Sequence, residues 1–218
     1  LVWSCLVSIL PGMAQTEKLT DYVNPFVGTD GYGNVYPGAQ IPFGGIQMSP
    51  DTDSRFYDAA SGYKYNHLTL MGFSLTHLSG TGIPDLGDFL FIPGTGEMKL
   101  EPGTHEDPDK GYRSRYSHDK EWASPNYYAV ELADYGVKAE MTSGVRSGMF
   151  RFTYPESDSA FIMIDMNHTL WQSCEWSNLR MINDSTITGY KLVKGWGPER
   201  HVYLTATFSK KDRKSTRL

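Results

Sequence analysis

The chain has 218 residues, 13% of them aromatic, with 22 glycines, 12 prolines and 14 tyrosines. With few long helical patterns, that composition predicts many short strands joined by turns, an all-β chain. A net charge of −5 and a pI near 5.7 exclude the basic footprint of a nucleic-acid binder or of a polybasic membrane contact, and are compatible with a neutral partner such as a sugar.

The apolar run LVWSCLVSIL at residues 1–10 is too short for a membrane span. Gly12 and Ala14 follow it at the −3 and −1 spacing of a signal-peptidase cut, so residues 1–14 read as a signal-peptide remnant and the protein as secreted or periplasmic. Removal of that segment takes Cys5 with it and leaves Cys174 alone, which rules out an internal disulfide. Between Trp171 and Trp176, Cys174 reads as a packed small hydrophobe.

Residues 21–28 predict an entry strand that Pro25 makes an edge or a bulge. The glycine-rich loop to Gly38 has no GxGxxG spacing and no lysine after its glycines, which excludes phosphate cradling. Residues 41–50 predict a buried strand closed by a proline turn. The acidic loop 51–58 lacks the glycine and the closing glutamate of a calcium loop. At 61–65 the pattern predicts a strand with Tyr63 and Tyr65 on one face, a sugar-stacking platform if exposed and ordinary core if buried.

The stretch GFSLTHLSGTGIPDLGD, residues 72–88, threads His77, Ser79, Thr81, Asp85 and Asp88 through four glycines. Such backbone suits a site; it equally suits a tight double turn whose side chains satisfy local groups, with Asp85 and Asp88 as turn acceptors or partners of Arg113 and Arg115. Residues 89–93 form an apolar run of a strand covered on both faces, and 94–119 a polar surface excursion. Further strands are predicted at 127–132, 137–142, 146–153, 160–166, 186–190 and 202–208, with a hairpin turn at 134–136. About ten or more antiparallel strands at this spacing predict a two-sheet β-sandwich over residues 21–209. Two sequons, at Asn167 and Asn183, carry no weight in this reading, and residues 210–218 form a basic tail without strand pattern.

The phrases YVNPFVGTDGYGNVYPGAQIPFGGIQMSPDT, SGYKY, GFSLTHLSGTGIPDLGD and YRSRYSHDKEWASPNYYAVELADYGVKAEMT resemble the amino-terminal part of glycoside hydrolase family 92, secreted exo-acting α-mannosidases. The resemblance runs from about Asp21 to Ser209. It implies a super-sandwich-type β-sandwich, a carboxy-terminal (α/α)6 barrel beyond this chain, a calcium ion, and inverting hydrolysis of terminal α-mannose. It places the catalytic carboxylates and the calcium ligands in the helical domain, so no catalytic and no metal-binding residue is expected here. The expected partners are a mannose-containing glycan and the chain's own helical domain, with no nucleic acid and no membrane span.

The resemblance further implies that this domain forms one wall of the pocket. Laid on the family's WDxCSGYHY pattern, Tyr57 and Asp58 take the tryptophan and aspartate places, Ala60 replaces the cysteine, and Lys64 replaces the histidine. The family's GHGHT loop stands here as Gly31-Tyr32-Gly33-Asn34-Val35, without either histidine. His77 matches the family's THLSG phrase, and Trp196 lies in a KGWG loop that resembles another family element. The expected substrate-facing residues are therefore Tyr57, Asp58, Tyr63, His77 and Trp196. The alternative is a stand-alone carbohydrate-binding sandwich that stacks sugars on Tyr57, Tyr63 and Trp196.

Overall fold

The computed structural model describes residues 17–55, 57 and 59–211. The signal remnant at 1–14, Asp58 and residues 212–218 of the basic tail lie outside the described residues.

Among the described residues the chain is all-β, with three single-turn 3-10 segments and no α-helix. Its strands in chain order are β1 (Ser49–Asp51), β2 (Thr69–Leu70), β3 (Gly72–Ser74), β4 (Leu90–Gly94), β5 (Ser114–Arg115), β6 (Glu121–Ser124) and β7 (Tyr127–Leu132). They continue as β8 (Val137–Ser143), β9 (Gly148–Thr153), β10 (Phe161–Asp165), β11 (Ser173–Asn183), β12 (Thr186–Lys194) and β13 (Arg200–Thr207). Four antiparallel sheets result, ordered β1-β3-β4-β10, β6-β7-β8-β9, β11-β12-β13 and β2-β5.

The two four-stranded sheets face each other as a sandwich. Period-2 alternation on β8 sends Val137, Ala139 and Met141 inward, where they meet Phe73 of β3, Leu70 of β2 and the inward residues of β7 in one buried cluster. Phe150 of β9 packs against both Phe73 and Phe91 of the opposite sheet, with ring centroids 6.3 and 5.1 Å apart. Every residue of β4 is buried, as a continuous apolar run in an inner strand requires. The turn at 133–136 works because Gly136 adopts φ 64°.

Three sequence expectations change. Residues 21–28 are not a strand: a 3-10 turn at Leu19–Tyr22 runs into a turn at 25–28, where Pro25 gives no backbone donor to a ladder. Over 41–50, the strand is confined to β1, and Pro50 is tolerated because β1 is an edge strand of its sheet. Residues 61–65 form turns and irregular backbone, so Tyr63 and Tyr65 do not share a face. The long strand β11 was not legible in the sequence. Its pairing with β12 carries irregularities between Cys174 and Trp176 and between Met181 and Asn183, which break the two-residue alternation that marks a strand.

Tyr63 is core, only 1% exposed. Its hydroxyl donates to the buried Glu121 carboxylate at 2.9 and 3.1 Å, and Tyr128 donates to the same carboxylate at 2.5 Å. Burial and the neighbouring carboxylate push the Tyr63 phenol far above its ordinary range, so it remains a neutral donor.

Candidate functional site

Loop 51–57 and loop 165–172 border a cleft of about 330 Å3 lined by Ser54, Tyr112, Asp165, Asn167, His168 and Trp171, among others. Under it lies Asp51, the last residue of β1, completely buried. One Asp51 oxygen lies 2.8 Å from Nε2 of His77 and the other 2.8 Å from Nε2 of His168. Nδ1 of His77 donates to the Gln47 carbonyl at 2.6 Å, since a carbonyl only accepts. Burial raises the Asp51 carboxyl, but the charge of His77 and the hydrogen bonds from His168 and His77 outweigh it and hold the group well below the usual carboxylate range.

Gly62 makes this arrangement possible. It sits at φ +85°, and a Cβ there would lie 2.1 Å from an Asp51 oxygen and 3.1 Å from the His77 ring. Gly62→Ala is therefore expected to cost about 3 kcal/mol, from left-handed backbone strain plus a clash with rigid neighbours. Urea unfolding of wild type and variant measures it, and a cost under about 1 kcal/mol would contradict the packing described.

A second polar layer supports the loop at 72–88. Asp88 accepts from Thr76 at 2.7 Å, pairs with Arg200, and lies 3.5 Å from Nζ of Lys191. Lys191 occupies the inner face of β12 between Gly189 and Val193, fully buried, and donates to the His168 carbonyl at 2.6 Å. Burial lowers the Lys191 pKa, and Asp88 opposes that shift. Asp85 accepts from the backbone N–H of Leu86 at 2.6 Å and of Trp196 at 2.9 Å, tying this loop to the KGWG turn. Both acids are thus structural acceptors, and their cationic partners are Arg200 and Lys191. Arg113 and Arg115 instead serve the Thr52 carbonyl and the Asp109–Asp134 pair.

Of the expected substrate-facing residues, Tyr57 and Trp196 are exposed. Tyr63 and His77 are not: both are buried within this chain, Tyr63 on Glu121 and His77 on Asp51, so neither offers a ring face to a sugar. Asp58 lies outside the described residues. Two residues at the cleft escaped sequence reading. His168 sat inside a sequon, and Trp171 had no surrounding motif. Trp171 is half exposed and adopts φ 69°, and Tyr57 adopts φ 62°; left-handed backbone at bulky residues costs about 1–3 kcal/mol each and concentrates at functional sites. A larger groove of about 700 Å3, lined by Tyr116, Lys120, Glu131 and Tyr154 among others, contains none of the expected residues, and its Lys120 and Glu131 neutralise each other at 2.6 Å.

Asp53, His67 and His105 each bring one potential ligand atom within 4.8 Å of the other two. Two imidazoles and a single carboxylate do not fit calcium, which takes six to eight oxygens. The acidic loop itself is no calcium site either: Asp51 is taken by histidines and Asp53 by Arg55.

The fold defines a β-sandwich domain with a polar cleft at loops 51–57 and 165–172, and the comparison with known families says which one. The chain belongs to glycoside hydrolase family 92, whose N-terminal domain model (Glycosyl hydrolase family 92 N-terminal domain) matches residues 22–217. It is 98% identical to the family GH92 alpha-mannosidase BT3965 from Bacteroides thetaiotaomicron, with a TM-score of 0.88 over 89% of this chain and 26% of that one. The GH92 family glycosyl hydrolase ccman5 is 29% identical with a TM-score of 0.70, over 85% of this chain and 26% of its own. An uncharacterized secreted glycosidase of Arthroderma benhamiae is 29% identical over 161 residues, 73% of this chain and 20% of its own length. The chain thus spans about a quarter or less of these relatives. No helix among the described residues is long and apolar enough to cross a membrane.

Proposed function

We propose that the protein carrying this chain is a secreted, calcium-dependent, inverting exo-α-mannosidase acting on terminal α-mannose of glycans, and that this sandwich supplies one wall of its active site. The observation that carries this reading is the 98% identity to an α-mannosidase over 89% of the chain, a relative also known in complex with mannoimidazole. Secretion rests on the signal pattern at residues 1–14 and on the description of the Arthroderma relative.

Inversion needs two carboxyl groups about 6.5–9.5 Å apart with water between them. Asp51, Asp53, Asp85 and Asp88 are each occupied by histidine, arginine, lysine or backbone partners. Following the family resemblance, we assign the catalytic pair and the calcium ligands to the helical domain that it implies, docked on this sandwich. Tyr57, Trp171 and Trp196 are exposed rings able to stack on a sugar, and Trp171 lines the cleft.

The test is mannose release from α-mannosides of each linkage by the full-length protein, with and without a chelator. Chelator-sensitive release is expected, and no release under any condition discards the reading. In the same assay Trp171→Ala is expected to lower kcat/KM about tenfold with unchanged unfolding, the loss of one stacking face; an unchanged kcat/KM removes Trp171 from the site. The exposed Tyr57 and Trp196 also favour a second reading, a sugar-binding module that works alone. Saturable binding of mannobioses by the 218-residue chain, with no activity in the full-length protein, selects it.

A further inference from the structure

The cluster Asp53–His67–His105 draws on three separate segments and includes none of the aromatic rings offered to a sugar above. Asp53 follows β1, His67 precedes β2, and His105 sits on the long excursion between β4 and β5. We propose that these three side chains form a binding site for a divalent transition-metal ion of the zinc class, which ties the three segments together beneath the loop that carries Ser54 and Tyr57.

The spacing supports it. Nε2 of His105 is 3.3 Å from Oδ2 of Asp53, yet that buried nitrogen has no hydrogen-bond partner in a geometry that would count as one. Two ligand atoms each about 2.0–2.1 Å from a tetrahedral zinc are separated by about the same distance. The other side of the ring is held by a hydroxyl. Thr69 Oγ1 lies 2.9 Å from Nδ1 of His105 and accepts from Arg113 at 3.3 Å. In the tautomer with Nδ1 donating to Thr69, the Nε2 lone pair faces Asp53 Oδ2 and the two can share a cation; in the other tautomer Nε2–H pairs with the carboxylate directly. A hydrogen bond that fixes the distal nitrogen of a ligating histidine is the usual outer support of such sites.

The third ligand is pre-placed as well. The His67 ring lies 4.1 Å from that of His105, centroid to centroid, its Nδ1 is 3.0 Å from Thr52 Oγ1, and its carbonyl accepts from Tyr116 at 2.7 Å. Two imidazoles and one carboxylate are the donor set of zinc and its neighbours, with a fourth position left for water.

Arg55 is the competing cation. Its backbone N–H and Nε reach Oδ1 of Asp53 at 2.9 and 3.0 Å, and its Nε and terminal nitrogen reach Oδ2 at 2.9 and 2.6 Å, while its side chain is largely exposed. These contacts engage both carboxylate oxygens, so an ion held between Asp53 and His105 must displace Arg55 from Oδ2. Arg113 is also close but is directed at the Thr52 carbonyl and Thr69.

The test uses the full chain stripped of metal, titrated with ZnCl2 by calorimetry and with CoCl2 by visible absorption. One equivalent of Zn²⁺, tetrahedral-type Co²⁺ bands and a raised melting temperature are expected, with Ca²⁺ unable to displace either ion. His105→Gln and His67→Gln should each weaken binding by at least about tenfold while keeping the far-ultraviolet circular dichroism. Arg55→Ala should tighten it by about tenfold, since a like charge beside the ion is removed. Unchanged Zn²⁺ affinity in both histidine variants, or saturation with Co²⁺ without those bands, overturns the proposal. Where the histidine variants fail to fold, X-ray absorption on the zinc-loaded wild type decides: a shell other than two imidazoles plus oxygen refutes the site. None of these outcomes depends on mannosidase activity.

Discussion

Asp51→Ala is expected to destabilise the chain by about 3–5 kcal/mol, the usual cost of removing one partner from a buried ion pair. The reason is positional. Asp51 is fully buried, and its two oxygens hold His77 on one side and His168 on the other, so alanine leaves two buried imidazoles without their shared acceptor. Urea unfolding at neutral pH measures the loss, and a change under about 1 kcal/mol would show that the pair contributes little.

The same group gives acid sensitivity a definite sign. The folded Asp51 carboxyl is held below its ordinary value of 3.8, so as pH falls the unfolded chain takes up the proton first. Its stabilisation is complete above the ordinary carboxylate range and is lost as the pH drops through that value toward the folded one. Wild-type stability should therefore fall more steeply below about pH 4 than that of Asp51→Ala. Parallel acid limbs for the two proteins would refute this assignment.

Asp88→Ala is the second large effect, again about 3–5 kcal/mol. Lys191 is entirely buried on β12 and Arg200 is mostly so; without Asp88, Lys191 keeps the His168 carbonyl and the Phe89 ring face, and Arg200 keeps Asp85 at 3.7 Å. Asp88→Ala combined with Lys191→Met is expected to recover part of the loss, since the uncompensated buried charge disappears along with its partner. If the double variant is less stable than the single one by the full cost of a Lys191 substitution, the two residues are not coupled.

These two acids show where reading the chain succeeded and where it stopped. The strand β7 was legible to the residue and β4, β8 and β10 nearly so, because their apolar runs and two-residue alternation express burial directly. The loop at 72–88 was legible as a place of dense polar contact, but its partners were not: Asp88 meets Arg200 across 112 residues, and Asp85 meets Trp196 across 111.

The sequence by itself determined the all-β class, the order of the main strands and, through its long motifs, the family. Each follows from local side-chain pattern, which neighbouring residues along the chain carry whether or not it is folded. Only the tertiary structure decided that Tyr63 and His77 are interior, that His168 and Trp171 border the cleft, and that Asp53, His67 and His105 converge. Those outcomes depend on which distant strand or loop comes to lie alongside, and burial and pairing are properties of that encounter.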